Sequence, residues 1–150
     1  DIAISPTQRQ RDQLYRVAIN PVTQFPNEGI IVFGQKTLQK KSSALDRVNV
    51  RRLLIELKKF IGDVSRTLVF EQNTIATRNG FLAAVNPYLE SVVQRQGLYA
   101  FKVVMDDTNN TADVIDRNQL IGQIFIQPAK TVEYILLDFS IEPSGATFGA

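Results

Sequence analysis

Histidine and cysteine are both missing from the 150 residues of this chain. Without cysteine there is no disulfide framework, no thiolate metal site and no thiol nucleophile. Without histidine the usual acid–base group at neutral pH and the commonest transition-metal ligand are gone as well. Charge of one sign is also scarce: 17 Lys and Arg against 15 Asp and Glu leave a net charge of +2, too little by itself to argue for nucleic acid. No apolar run approaches the roughly 20 residues of a membrane span, and the N-terminus lacks the apolar core of a signal peptide, so no membrane insertion is expected. A phosphate-binding loop is lacking too, because Gly29 to Gly34 has no lysine at the required place and no helix start after it. Asp1 stands where a Met would begin an intact chain, and the expectation is a processed or excised piece of a longer protein.

What is present is amphipathic. From Leu45 to Leu68, Val50, Leu53, Leu54, Leu57, Phe60, Ile61, Val64 and Leu68 fall in a stripe about 120° wide at helical periodicity. Arg47, Arg51, Arg52, Lys58, Lys59 and Arg66 take the other side. Two readings of that basic side stand together. Arg52 with Glu56 and Lys59 with Asp63 are spaced i,i+4, which suits a solvated face with intrahelical pairs worth about 0.2–0.5 kcal/mol each. Arg47, Arg51 and Lys58 line up within about 40° without an acid on their own stripe, which suits an acidic partner surface or a phosphate backbone.

Around this helix the chain alternates strand and helix signals. Ser5-Pro6-Thr7-Gln8 reads as a cap, a first-turn proline and a glutamine at N3, starting a short polar helix toward Val17. Thr23 to Phe25 and Ile30 to Phe33 read as strands around Pro26-Asn27-Glu28-Gly29. Ser43 caps the long helix, which ends near Phe70. A second helix from Asn73-Thr74 carries Ile75, Phe81, Leu82, Val85, Leu89, Val92 and Val93 inward and closes at Gly97, with a kink or restart at Asn86-Pro87. Leu98 to Met105, Leu120 to Gln127 and Thr131 to Glu142 read as strands, the last two joined as a hairpin through Pro128-Ala129-Lys130. Tyr99, Phe101, Phe125 and Phe139 sit in alternating patterns that assign them to the core rather than to a base-stacking platform. Ser144 to Ala150 is small, polar and glycine-containing, an arm rather than core.

Candidate chemistry is thin. Asp106, Asp107, Asp113 and Asp116 form the only acidic cluster, but the glycine and glutamate of an EF-hand loop are lacking and turn chemistry accounts for the residues. Serine and threonine have no base to activate them. The reading is no enzyme, no metal and no cofactor.

The order of segments nevertheless resembles a known family. Ile19-Asn20-Pro21-Val22, Ile30 to Gly34 with Gln35-Lys36-Thr37-Leu38, Leu45 to Leu53, Asp107 to Thr111, Val114 to Asn118, Gln123 to Pro128 and Thr131 to Ser140 are similar to the C-terminal domain of contractile phage tail sheath proteins, related to the sheaths of R-type pyocins and type VI secretion systems. The resemblance implies an α+β domain, with a small mixed or antiparallel sheet of about four to five strands on two long helices, a short N-terminal helix and an extended C-terminal arm. It divides the chain into a linker and short helix (1–18), a core domain (19–143) and the arm (144–150).

It further implies a structural subunit that polymerises helically around an inner tail tube and contracts to drive the tube through a cell envelope. Strand addition links the subunits, and the arm residues Ser144, Gly145, Ala146, Thr147 and Phe148 make the link, with Thr147 and Phe148 as anchors. Arg47, Arg51 and Lys58 would then face the tube or a neighbour. The implied partners are other sheath subunits, the tube protein, and baseplate and terminator proteins, without direct nucleic acid. The implied place is the virion tail, assembled in the host cytoplasm. Another tail or baseplate component, or a nucleic-acid-binding α/β module, is the alternative.

Overall fold

Two long helices lie against each other because each presents one apolar stripe. In the computed structural model, which describes Ile2 and residues 4–137, these are α2 (Val48–Arg66) and α3 (Ile75–Gln94), following α1 (Gln8–Arg16) and the strands β1 (Val22–Phe25) and β2 (Gly29–Val32). They are followed by β3 (Leu98–Val104), the short α4 (Ala112–Asp116) and β4 (Gln123–Pro128). Leu57 of α2 meets Phe81, Val85, Leu89 and Val92 of α3, and the inner face of β3–β4 closes this core with Leu98 and Met105. Phe60 stacks on Tyr88 across the helix pair at 3.7 Å between ring centroids. No helix among the described residues is long and apolar enough to cross a membrane.

The α+β class holds, but among the described residues the strands form two separate antiparallel ribbons, β1–β2 and β3–β4, instead of one sheet of four to five strands. Pro26 and Asn27, the latter at φ 70°, turn the first ribbon, and Gly29 at φ 76° supplies the second left-handed residue of the turn. In the second ribbon β4 pairs back onto β3, from Val104 opposite Gln123 to Leu98 opposite Pro128. The expected hairpin between 120–127 and 131–142 does not form in the described part: residues 131–137 belong to no strand. The cause is at Ala129, whose N–H bonds to the Gly97 carbonyl at 3.1 Å, so the chain continues along β3 instead of turning on itself.

Other differences have equally local causes. Tyr99 is the extra residue of a bulge between Leu98 and Ala100, so Leu98 joins Phe101, Val103 and Met105 on the inner face. Tyr99 and Phe125 are exposed instead of core, while Phe139 lies outside the described residues. Ile75, at the first turn of α3, is exposed, and the buried residue of that turn is Arg78. That helix runs through Pro87 without restarting: Pro87 and Ala83 both lie on the exposed side, where water can take the freed carbonyl. Gly97 is not the left-handed residue at the C-terminus. Gln96 is, at φ 62°, donating to the Val93 carbonyl while the Gly97 N–H bonds to Val92 at 2.9 Å, a Schellman ending with glycine one place later. At α1 the cap is Thr7, not Ser5, with Gln10 Oε1 accepting from the Thr7 N–H at 2.9 Å.

The loop from Asp106 to Asn110 is a polar clip. Asn110 is almost completely buried and accepts from the Ile121 N–H at 2.8 Å while donating to the Ile121 carbonyl at 2.9 Å. Arg78, also buried, reaches out from α3 to Asp107 at 2.7 Å. The Asp107–Asn118 stretch therefore ties α3 to the approach of β4.

Candidate functional site

Helix α2 carries the basic face as expected over most of its length. Val50 and Leu57 are buried and Leu53, Leu54, Phe60, Ile61, Val64 and Leu68 half-buried, while Arg51, Arg52, Lys58, Lys59 and Arg66 are exposed. Neither i,i+4 pair forms; Asp63 bonds instead to Arg66 at 3.6 Å. Arg51 and Lys58 have no ion-pair partner among the described residues.

Arg47 does not belong with them. Ser43 caps only a single 3₁₀ turn, Ala44–Asp46, after which Arg47 is extended at φ −115°, ψ 142° and α2 begins at Val48. The interruption comes from outside the helix: Gln35 to Thr37 pair antiparallel with residues 46–48, through Thr37 N–H to the Asp46 carbonyl (3.0 Å) and Val48 N–H to the Gln35 carbonyl (2.8 Å). An extended residue is off the helical wheel, and its side chain turns away from Arg51 and Lys58.

There it enters a charged cluster. The Arg47 guanidinium grips both oxygens of Glu133, Nη2 to Oε2 at 3.2 Å and Nε to Oε1, and Nη1 lies 3.2 Å from Asp46. Tyr15 of α1 donates its hydroxyl to Glu133 Oε1 at 3.0 Å. Lys36 Nζ bonds to the Tyr15 carbonyl at 2.8 Å and stands 4.1 Å from the centroid of its ring. The Arg47 hydrogen bond holds the Glu133 carboxyl below its ordinary value, and Glu133 in turn raises the Arg47 guanidinium. Burial, and then Glu133, push the Tyr15 hydroxyl up.

The signal for this cluster was in the sequence. Glu133 is the lone acid in the otherwise apolar Val132 to Leu137, and a charge in such a run needs a partner. Beside it lies an open cleft of about 410 Å³ lined by Tyr15, Val32, Phe33, Gln35, Thr131 and Tyr134 among others.

A third feature is unfilled. Both outer edges of β1–β2 are unpaired among the described residues, and Val22, Ile30, Val32 and Phe33 on the ribbon are exposed. Only Thr23 of β1 is fully buried. Arg11 of α1 braces the ribbon from above the rings of Phe25 and Phe33, which meet edge-on at 5.2 Å. The arm residues Ser144, Gly145, Ala146, Thr147 and Phe148 lie outside the described residues.

The arrangement offers contact surfaces. No group of three or more acidic residues able to hold a metal occurs among the described residues, and Asp106, in the candidate acidic cluster, spends its carboxylate on the Thr108 hydroxyl and N–H. That hydroxyl contact is the main cause of its lowered pKa.

Comparison with known proteins gives a consistent picture. The chain is 44% identical over 147 residues to the tail sheath protein of Enterobacteria phage T4 and 40% identical over 147 residues to that of Vibrio phage KVP40, covering 98% of this chain in both cases. It spans 22% of the length of each of these relatives. Among solved structures, the sheath complex of the extracellular contractile injection system PVC in its contracted state matches with a TM-score of 0.83 and 27% identity, over 93% of this chain and 42% of that one. The baseplate of the anti-feeding prophage matches with a TM-score of 0.81 and 26% identity, over 95% of this chain and 41% of that one. Residues 40–142 match the phage tail sheath C-terminal domain, and with that match covering most of its length the chain belongs to this family.

Proposed function

We propose that this chain is the linking domain of a contractile sheath subunit: it polymerises with copies of itself around an inner tube and stays joined to them while the lattice contracts. The observation that carries the reading is a matched surplus and deficit. Among the described residues the ribbon β1–β2 has open edges and exposed apolar residues, and residues 131–137 belong to no strand while Val132, Tyr134, Ile135, Leu136 and Leu137 are exposed. An apolar extended segment and an unfilled ribbon on identical subunits suit strand addition between neighbours. On this reading the arm starts at Thr131, before its expected start at Ser144, and Ser144 to Phe148 with the anchors Thr147 and Phe148 are its far end.

The exposed basic face of α2 supports a second contact. Arg51 and Lys58 stay free to meet an acidic surface on the tube or on a neighbour, while Arg47 is already neutralised by Glu133. Exposed charges of this kind are screened over about 8–10 Å at physiological salt, which suits a contact that must release. Baseplate and terminator proteins are the partners at the two ends, the setting is a phage tail or related injection device assembled in the host cytoplasm, and no catalysis is involved. Charge reversal Arg51→Glu in the full-length protein is expected to impair tube assembly seen by electron microscopy, and normal sheaths from that variant would remove the basic face from the reading. A structural role in the baseplate is the second reading, favoured by the likeness to a baseplate structure. A baseplate component would not form long tubes.

A further inference from the structure

The root of the arm is held at two points, and a residue at the start of α2 takes part in each. Ala129 is pinned on its two backbone groups, its N–H to the Gly97 carbonyl at 3.1 Å and its carbonyl by Asn49 Nδ2 at 3.3 Å. Four residues on, Glu133 is gripped by both sides of the Arg47 fork and by the Tyr15 hydroxyl. Its backbone is open like that of its neighbours, but its side chain is drawn in against Arg47 and Tyr15 and is 21% exposed. Among the described residues no other side chain from 131 to 137 makes a hydrogen bond or ion pair.

We infer that Arg47 and Asn49, with Tyr15, are positioning residues that set the direction in which the C-terminal arm leaves the body, through Glu133 and Ala129. The inference rests on the linking reading above. One fixed point leaves an extended chain free to sweep a cone, whereas two points about four residues apart, roughly 13 Å at full extension, define a line. A planar guanidinium that takes both carboxylate oxygens also fixes rotation about that line, which a lysine would not do. The two holding residues are two positions apart at the start of α2, one of the two long helices of the core, so a rotation of the body carries the arm with it as a lever. Arg47 can serve because pairing with Lys36 keeps it out of the helix.

The test uses the full-length protein with Glu133→Gln, Tyr15→Phe, the exchange Arg47→Glu with Glu133→Arg, and a truncation after Lys130. Trypsin cleavage at the exposed Lys130 reports opening of the root in unpolymerised protein. Glu133→Gln is expected to speed it about tenfold and Tyr15→Phe about threefold, as suits a charged and a neutral hydrogen bond. Thermal melting of the body should stay near that of the parent. Polymers of Glu133→Gln should lose helical order in cryo-electron microscopy, and the charge exchange should restore part of it. Tyr15→Phe removes one hydroxyl and keeps the ring over Lys36, so it reads the clamp even where the exchange fails to fold. Cleavage at the parental rate in both single variants, with polymers of parental order, overturns the inference. If those results accompany a truncation that cannot polymerise, the clamp alone is wrong; a truncation that still polymerises removes the linking reading itself.

Discussion

Asn110 allows a prediction whose size and pH dependence both follow from its contacts. Its Oδ1 accepts from the Ile121 N–H at 2.8 Å and from Asn73 Nδ2 at 3.3 Å. Its Nδ2 faces three acceptors, the Asp106 carbonyl at 3.2 Å, Asn109 Oδ1 at 2.9 Å and the Ile121 carbonyl at 2.9 Å. In Asn110→Ala most of these partners keep another bond: Asn73 retains Gln119, the Asp106 carbonyl retains the Asn110 N–H, and Asn109 retains the Asp106 N–H. Ile121 loses both, and two half-buried backbone groups at the lower end of roughly 1–3 kcal/mol each predict a loss of about 2–3 kcal/mol. That is a large part of a typical domain stability of about 5–15 kcal/mol.

Asn110→Asp has nearly the same shape but replaces the donor with an oxygen aimed at three acceptors. At neutral pH it should cost more than alanine. Its carboxyl pKa should be raised in the folded state above the unfolded value of about 3.9, so the penalty shrinks as pH falls through the folded value. Urea denaturation of both variants at pH 7 and pH 5 measures this, with amide exchange at Ile121 as the local probe. The reasoning fails if alanine costs under about 0.5 kcal/mol, or if aspartate is no worse than alanine at pH 7 and gains nothing at pH 5.

Three further outcomes are expected. At the Arg78–Asp107 pair, Asp107→Asn should destabilise more than Arg78→Met in urea melts, because only the first leaves the largely buried Arg78 without its carboxylate; since that carboxylate is itself solvent-exposed, the difference should stay within about 1 kcal/mol. Gly34→Ala would place its Cβ 2.6 Å from Asn20 Oδ1, forcing apart the Asn20–Lys36 pair that mimics a strand ladder at 2.9 Å in each direction; amide exchange at Lys36 should quicken, whereas Gly62→Ala, with open space around it on α2, should stabilise by about 0.5–1 kcal/mol. Glu133 faces Tyr15, Lys36 and Arg47, with Asp46 on the far side of the guanidinium, and its pKa lies below the ordinary 4.5; the hold on the arm root is therefore full above 4.5 and lost as pH falls through the lower folded value, which hydrogen exchange over residues 131–137, corrected for intrinsic rate, should show between neutral and acid pH.

The parts of this fold that local periodicity governs were legible. The stripe from Val50 to Leu68, the inward face of α3 from Phe81 to Val93 and the β1–β2 turn all depend on residues within a few positions of one another. What escaped depends on partners far along the chain. Pairing of Lys36 with Arg47 takes Arg47 off the helical wheel, the Gly97–Ala129 bond sends the chain away from a hairpin, and the bulge at Tyr99 brings Leu98 inward. The candidate site divides in the same way. The exposed Arg51 and Lys58 follow from spacing alone, and the arm root does not, since Tyr15 and Arg47 meet Glu133, and Asn49 meets Ala129, only after two such long-range events. A subunit that must hold its neighbours through a rigid-body movement needs its linker fastened to the body at a defined angle, and an angle is a tertiary quantity. Periodicity can identify which segment is spare and which ribbon is open. The direction between them is set by contacts 86 and 80 residues apart, from the Arg47 side chain to Glu133 and from the Asn49 side chain to the Ala129 carbonyl.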